Sequence, residues 1–164
     1  MTDGTVITSV TDALVICSNI IESANSEVVF ISPPSLLVLA SHFGLAERAK
    51  LFMQKGGCVR GIADFSYQYI GEMRELLGIG TDVRYFPQYQ GIFMLVGDGR
   101  ENISSISIDA ESLSIDTPVV ALWSWSDNPT YAEYLMSTFE TAWEQSVPAA
   151  QRIEELLKEG PPGI

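Results

Sequence analysis

Three short apolar stretches, Glu27–Ser32, Cys58–Ala63 and Asp82–Phe86, alternate with segments of helical periodicity, and this alternation constrains the fold most. Strands separated by helices of that length favour parallel pairing, because the crossover needs a helix to return the chain to the same edge. Before the first strand, Val10, Leu14, Cys17, Ile21 and Ala24 recur at threes and fours, which predicts an amphipathic helix with Ser9 or Asp12 as its cap. Ser35–His42 and Leu45–Lys55 read as helices stopped by Gly56-Gly57, and Ser66–Leu77 as a helix ending at Gly78 and Gly80.

The pattern then changes. Gly91–Val96, Asn102–Ile108 and Pro118–Ser124 read as consecutive strands, the first two joined by a tight turn at Asp98-Gly99. A long helix follows, capped by Asn128 with Pro129 at its first position and with Tyr131, Leu135, Phe139, Ala142 and Trp143 on its core side. Val147-Pro148 breaks it, and Ala149–Lys158 forms a last amphipathic segment. The expected fold class is α/β, a mixed β-sheet flanked by helices on both faces.

The chain has 164 residues and 46% hydrophobic composition, enough for one domain with its own core. No apolar stretch of spanning length and no leader peptide is visible, so a soluble, cytoplasmic protein is expected. Net charge is −12, with lysine only at Lys50, Lys55 and Lys158, so no basic stripe is expected and nucleic acid and anionic membranes are excluded as partners. Cys17 and Cys58 lack neighbouring ligands at metal spacing and read as reduced core residues; no metal and no cofactor is expected.

The run Gly91-Ile92-Phe93-Met94-Leu95-Val96-Gly97-Asp98 resembles the phospholipase D signature, in which a histidine, a lysine two residues later and an aspartate five further on precede a turn. Gly91 stands at the histidine position, Phe93 at the lysine position, and Asp98 keeps the acid; Ser104-Ser105-Ile106-Ser107 lies where that family has its Gly-Ser-x-Asn run. The segment from Ala121 to Tyr131, continuing through Trp143, is similar to regulatory phospholipase D-like domains of archaeal TrmB-type transcription regulators and archaeal sensor histidine kinases. The resemblance spans roughly residues 8–160 and implies a single-domain, half-size phospholipase D-like architecture over 1–160, with 161–164 as a tail or linker remnant.

In that family histidines attack phosphorus and protonate the leaving group while lysines hold phosphate oxygens. Glycine and phenylalanine do neither, and His42 is the only histidine. The resemblance therefore implies no enzyme but an effector-binding sensor domain of a regulatory system, taking a small uncharged or cationic molecule and passing its state to an output domain or partner. It also implies a homodimer. A ligand-free interaction or dimerisation module is the alternative, and a divergent phosphodiesterase is disfavoured by the missing side chains. Candidate ligand contacts are Gly91, Phe93, Asp98, Ser105, Ser107 and Asp64; Phe93 also suits plain core and Asp98 a turn acid. Trp123 and Trp125 share one strand face and, with Tyr131, form a candidate interface; the tryptophans also suit stacking on a planar ligand or packing under the last helix, with core or interface favoured.

Overall fold

The computed structural model describes residues 4–87, 92–106 and 122–163. The element order is β1 (Thr5–Ile7), α1 (Val10–Ser23), β2 (Glu27–Ser32), α2 (Pro34–His42), α3 (Leu45–Gln54), β3 (Cys58–Ala63), a 3-10 turn at Tyr67–Tyr69, α4 (Ile70–Gly78) and β4 (Asp82–Tyr85). It continues with β5 (Phe93–Gly97), β6 (Glu101–Ile106), β7 (Leu122–Ser126), α5 (Pro129–Gln145), β8 (Val147–Pro148) and α6 (Ala149–Glu159). One eight-stranded sheet runs in the order β1-β7-β6-β5-β2-β3-β4-β8. β2, β3 and β4 are parallel, and every other pairing is antiparallel.

Two helix starts and the β5–β6 turn have a clear local cause. Ser9 accepts from the Asp12 N–H at 3.3 Å to cap α1, and Asn128 accepts from the Tyr131 N–H at 3.1 Å to cap α5, with Pro129 at the first helical position. The β5–β6 hairpin closes through the Arg100 N–H on the Gly97 carbonyl at 3.0 Å, with positive φ at both Asp98 (53°) and Gly99 (64°). Two left-handed residues in succession match the twist of the flanking strands, which is why an Asp-Gly pair stands here.

The alternation of side chains divides the sheet into two packed faces. Val28, Phe30, Val59, Phe93, Leu95, Ile103, Trp123 and Trp125 join α1, α2 and α3 in one cluster. Val29, Ile31, Ile62, Met94 and Val96 join Leu135, Phe139 and Ala142 of α5 in another. A third gathers Ala63, Val83, Ile70 and Met73 with Ala149, Ile153 and Leu156 of α6 at the β3–β4 end.

The fold departs from the sequence expectation in a few places. β1 and β8 were not anticipated, because strands of three and two residues are too short to show a period. Cys58 is exposed at the entry to β3 rather than in the core, while Cys17 is buried. Tyr131 is part-exposed at the start of α5, away from the buried side formed by Leu135, Phe139 and Ala142. No helix among the described residues is long and apolar enough to cross a membrane.

Arg60 pins α5 to the sheet. Its guanidinium lies 3.0 Å from Glu27 and 2.5 Å from Glu140, and stacks over the Phe139 and Trp143 rings at 5.0 and 5.2 Å. Arg84 covers Trp143 at 4.7 Å and donates to the Ser146 carbonyl at 3.3 Å. Because the Arg60 side chain is largely buried, its removal leaves two carboxylates facing each other without a counter-charge. Arg60→Ala is therefore expected to cost about 2 kcal/mol; a urea denaturation midpoint unchanged from the parent would contradict it.

Candidate functional site

The register decides which candidate residues share a site. β2, β3 and β4 end together at Ser32, Ala63 and Tyr85, and β5, antiparallel to β2, begins at that same rim. Phe93 opens β5 and pairs with Ser105, and Ser105 pairs with Trp123 at the start of β7. Asp64 follows β3, two strand positions from Phe93, roughly 10 Å across the sheet. Phe93, Ser105 and Asp64 thus lie on one rim, at the carboxyl ends of the parallel strands. Gly91 and Ser107 lie outside the described residues.

Asp98 is at the opposite end of β5. Its carboxylate accepts from the backbone N–H groups of Asn25, Ser26 and Glu27 at 2.8, 2.8 and 2.9 Å, and from the Ser26 hydroxyl at 2.9 Å. Partial burial works against ionisation, but these donors outweigh it and hold the carboxyl below the usual carboxylate range. The acid ties the hairpin turn to the entry of β2.

Two buried polar atoms beside Phe93 have no hydrogen-bond partner among the described residues. Ser105 is 6% exposed and Trp123 1%, and neither Ser105 Oγ nor Trp123 Nε1 makes a hydrogen bond. Trp123 and Trp125 are interior side chains packed on the α1 face, rather than rings presented at an exposed interface or under the last helix. Trp125 Nε1 donates to Glu101 at 3.1 Å. Tyr131 alone of the three candidate interface residues is at the surface, its hydroxyl 2.7 Å from Ser104 Oγ and its ring stacked on Tyr134 at 6.3 Å.

At the other side of the rim the last helix makes contact. The Arg152 guanidinium lies 4.5 Å over the Tyr85 ring, and Phe65 meets Tyr85 edge-on at 5.7 Å. Burial, above all, raises the Tyr85 hydroxyl; Arg152 opposes that rise, and the nearby Asp64 and Glu155 carboxylates add to it. Phe65, which follows Asp64 after β3, Tyr85 and Arg152 therefore form one chain of contacts from that segment to α6.

Beneath the rim, α1, α2 and α3 leave a partly enclosed cavity of about 70 Å3 against the sheet. Its lining is almost wholly apolar and includes Cys17, Phe30, Leu36, Ala49, Phe93 and Leu95. Burial pushes the Cys17 thiol up to about 12, only partly offset by its backbone hydrogen bond, so it lines the cavity as a neutral thiol. Thr81 also reaches this lining, and sequence reasoning passed over it. A readable signal existed in the run Leu36–Ala40, apolar on every side of a short helix, which no single buried face explains. His42 ends α2 and is exposed.

Solved structures of other proteins share this arrangement. TrmBL2, an archaeal chromatin protein whose structure shows a novel mode of DNA binding, superposes with a TM-score of 0.68 at 12% identity over 89% of this chain. Nuc from Salmonella typhimurium, a phospholipase D family member, superposes with a TM-score of 0.64 at 15% identity. The chain has the phospholipase D fold. NucT from Helicobacter pylori matches at 0.65 and 16% identity, and each of the latter two is covered over 98% of its length. The chain spans about half of TrmBL2, 54% of it. No protein-family model and no curated protein sequence matches the chain.

These likenesses correct two expectations. The assignment as no enzyme does not stand against neighbours that include a phospholipase D family member. Phe93 at the lysine position argues against one route, histidine attack with lysine-held phosphate, and not against catalysis as such. The exclusion of nucleic acid falls too, because TrmBL2, described by its DNA binding, carries this fold. A net charge of −12 describes the whole chain, whereas phosphate contact is a local matter of a few side chains.

Proposed function

We propose that the chain is an effector-binding domain of a regulatory system, in which occupation of the rim at the carboxyl ends of β2, β3 and β4 is passed to α6. Residues 1–160 act as one domain in the cytoplasm, with 161–164 as a tail or linker remnant. Phe93, Ser105 and Asp64 are its candidate contacts, and Ser105 Oγ and Trp123 Nε1 offer two unused hydrogen-bonding atoms beside Phe93. The observation that carries the reading is the Phe65–Tyr85–Arg152 stack, which joins the rim segment beside Asp64 to the last helix. An effector that moves Asp64 or Tyr85 alters what Arg152 packs on, so its differential affinity for two packings becomes a bias on α6.

The test is a thermal-shift screen over metabolites, phosphodiesters and duplex DNA, followed by hydrogen exchange on α6 with whatever stabilises the protein. An effector is expected to raise the melting temperature and change α6 exchange, and Arg152→Ala is expected to keep the first effect and lose the second. Stabilisation with α6 exchange unchanged in the parent protein would sink the reading. Turnover of a phosphodiester, or stabilisation by DNA alone, would replace it with the function of that ligand.

A further inference from the structure

The cavity under the rim has its own chemistry. Among the described residues no charged side chain lines it, so an ion entering it would lose its hydration without compensation. Of its polar groups, the Ser32 hydroxyl already donates to the Pro33 carbonyl at 2.9 Å. Thr81 differs. It is 3% exposed, it lines the cavity, and its Oγ1 has no hydrogen-bond partner among the described residues. A buried hydroxyl left unpaired is costly, and a ligand atom that pairs with it recovers that cost.

The wall formed by α2 is the loosest part of the enclosure. Of its five consecutive apolar residues, Leu36–Ala40, only Leu36 is buried, and Pro33 gives the helix no side-chain cap. Access through this wall disturbs less packing than access past α1, where Leu14 and Cys17 are both buried.

We infer that this cavity binds a small, uncharged, mainly apolar molecule carrying one hydrogen-bond acceptor, which takes the Thr81 hydroxyl. By proportion to the ~150 Å3 cavity that holds the six carbons of benzene, the enclosed space takes roughly three heavy atoms, and its open side leaves room for a fourth. The inference rests on the effector-binding reading and gives it a ligand class. Phe93 belongs to both the rim and the cavity lining and is the contact the two sites share.

Acetone and isobutene are suitable probes, because they match in shape and differ in the acceptor. Methyl-resolved NMR titration of the whole chain is expected to shift the Leu14, Leu36, Leu45 and Leu95 methyls with both, and acetone is expected to bind more tightly. Thr81→Val should weaken acetone about fivefold, the size of one hydrogen bond, and leave isobutene unchanged, whereas Thr81→Ser should restore acetone binding. Ala40→Phe, a substitution on the partly exposed α2 that fills the cavity, should abolish both. No methyl shift with either probe, equal affinities unaffected by Thr81→Val, or binding that survives Ala40→Phe would each overturn the inference. Failure here is distinguishable from failure of the regulatory reading. Cavity binding with α6 exchange unmoved upholds the ligand class and counts against the coupling, while an α6 response that persists in Ala40→Phe does the reverse.

Discussion

Asp98→Ala is expected to lower the unfolding free energy by about 3 kcal/mol, far more than removal of an ordinary exposed turn residue. One carboxylate closes four hydrogen bonds, three of them to successive backbone N–H groups at Asn25, Ser26 and Glu27. Without it those donors must turn to water at the point where β2 enters the middle of the sheet, flanked by β3 and β5. Part of the loss is recovered because Asp98 is solvent-exposed, which keeps the figure below the sum of four charged bonds. Asp98→Asn should lose nearly as much, since it drops the charge and turns an amide donor toward donors. The pH dependence has a definite sign. A carboxyl whose folded pKa is depressed contributes in full above its unfolded value of about 4, and the contribution disappears as the pH falls through the folded value. The parent should therefore lose stability on acidification below about pH 4 along a steeper limb than Asp98→Ala. Parallel acid limbs in urea melts at several pH values would show that the carboxylate is not the fastener the geometry makes it.

Asp98 also shows how far the sequence carried. Its place before Gly99 was readable as a turn, and the turn is there, because local backbone chemistry at an Asp-Gly pair depends on few distant residues. Its alternative assignment to a ligand site assumed that the whole motif faces one cleft. A strand of five residues carries its ends about 14 Å apart, so Phe93 at one end and Asp98 just beyond the other cannot meet. Phe93, Ser105 and Asp64 do share a rim, and that followed from strand order rather than from any local pattern. The cavity was not legible at all. It is made by α1, α2 and α3 standing off the sheet, and Thr81 belongs to it only because the chain returns from α4 beneath them. Trp123 and Trp125 were correctly placed on one face, but which face packs on α1 and which on α5 is a choice that period-two alternation leaves open.

Gly61 is the position where packing beside that cavity is most sharply constrained, and the sequence gives no hint of it. Phe30 pairs with Gly61 across β2 and β3, and a Cβ on Gly61 would lie 2.0 Å from Phe30 Cζ and 2.4 Å from both Cε atoms. The ring lies over the bare backbone of β3, so any side chain there must displace it. Gly61→Val is expected to cost about 3 kcal/mol, the upper part of the range for overpacking a buried site. Phe30→Ala alone should cost a similar amount by leaving a void. The two losses should not add, because the valine fills what the ring vacates; a coupling of about 2 kcal/mol in the double mutant is expected. Additive losses would mean that β3 itself is distorted and the ring is not the obstacle. Gly61→Ala distinguishes the routes of relief more finely. Phe30 lines the cavity, so the ring can yield by moving into that empty space. If it does, Gly61→Ala should lose little stability and most of its affinity for acetone and isobutene together. If the cavity walls hold the ring in place, stability should fall while probe binding persists, and the empty space then belongs to a rigid core and not to an adaptable site.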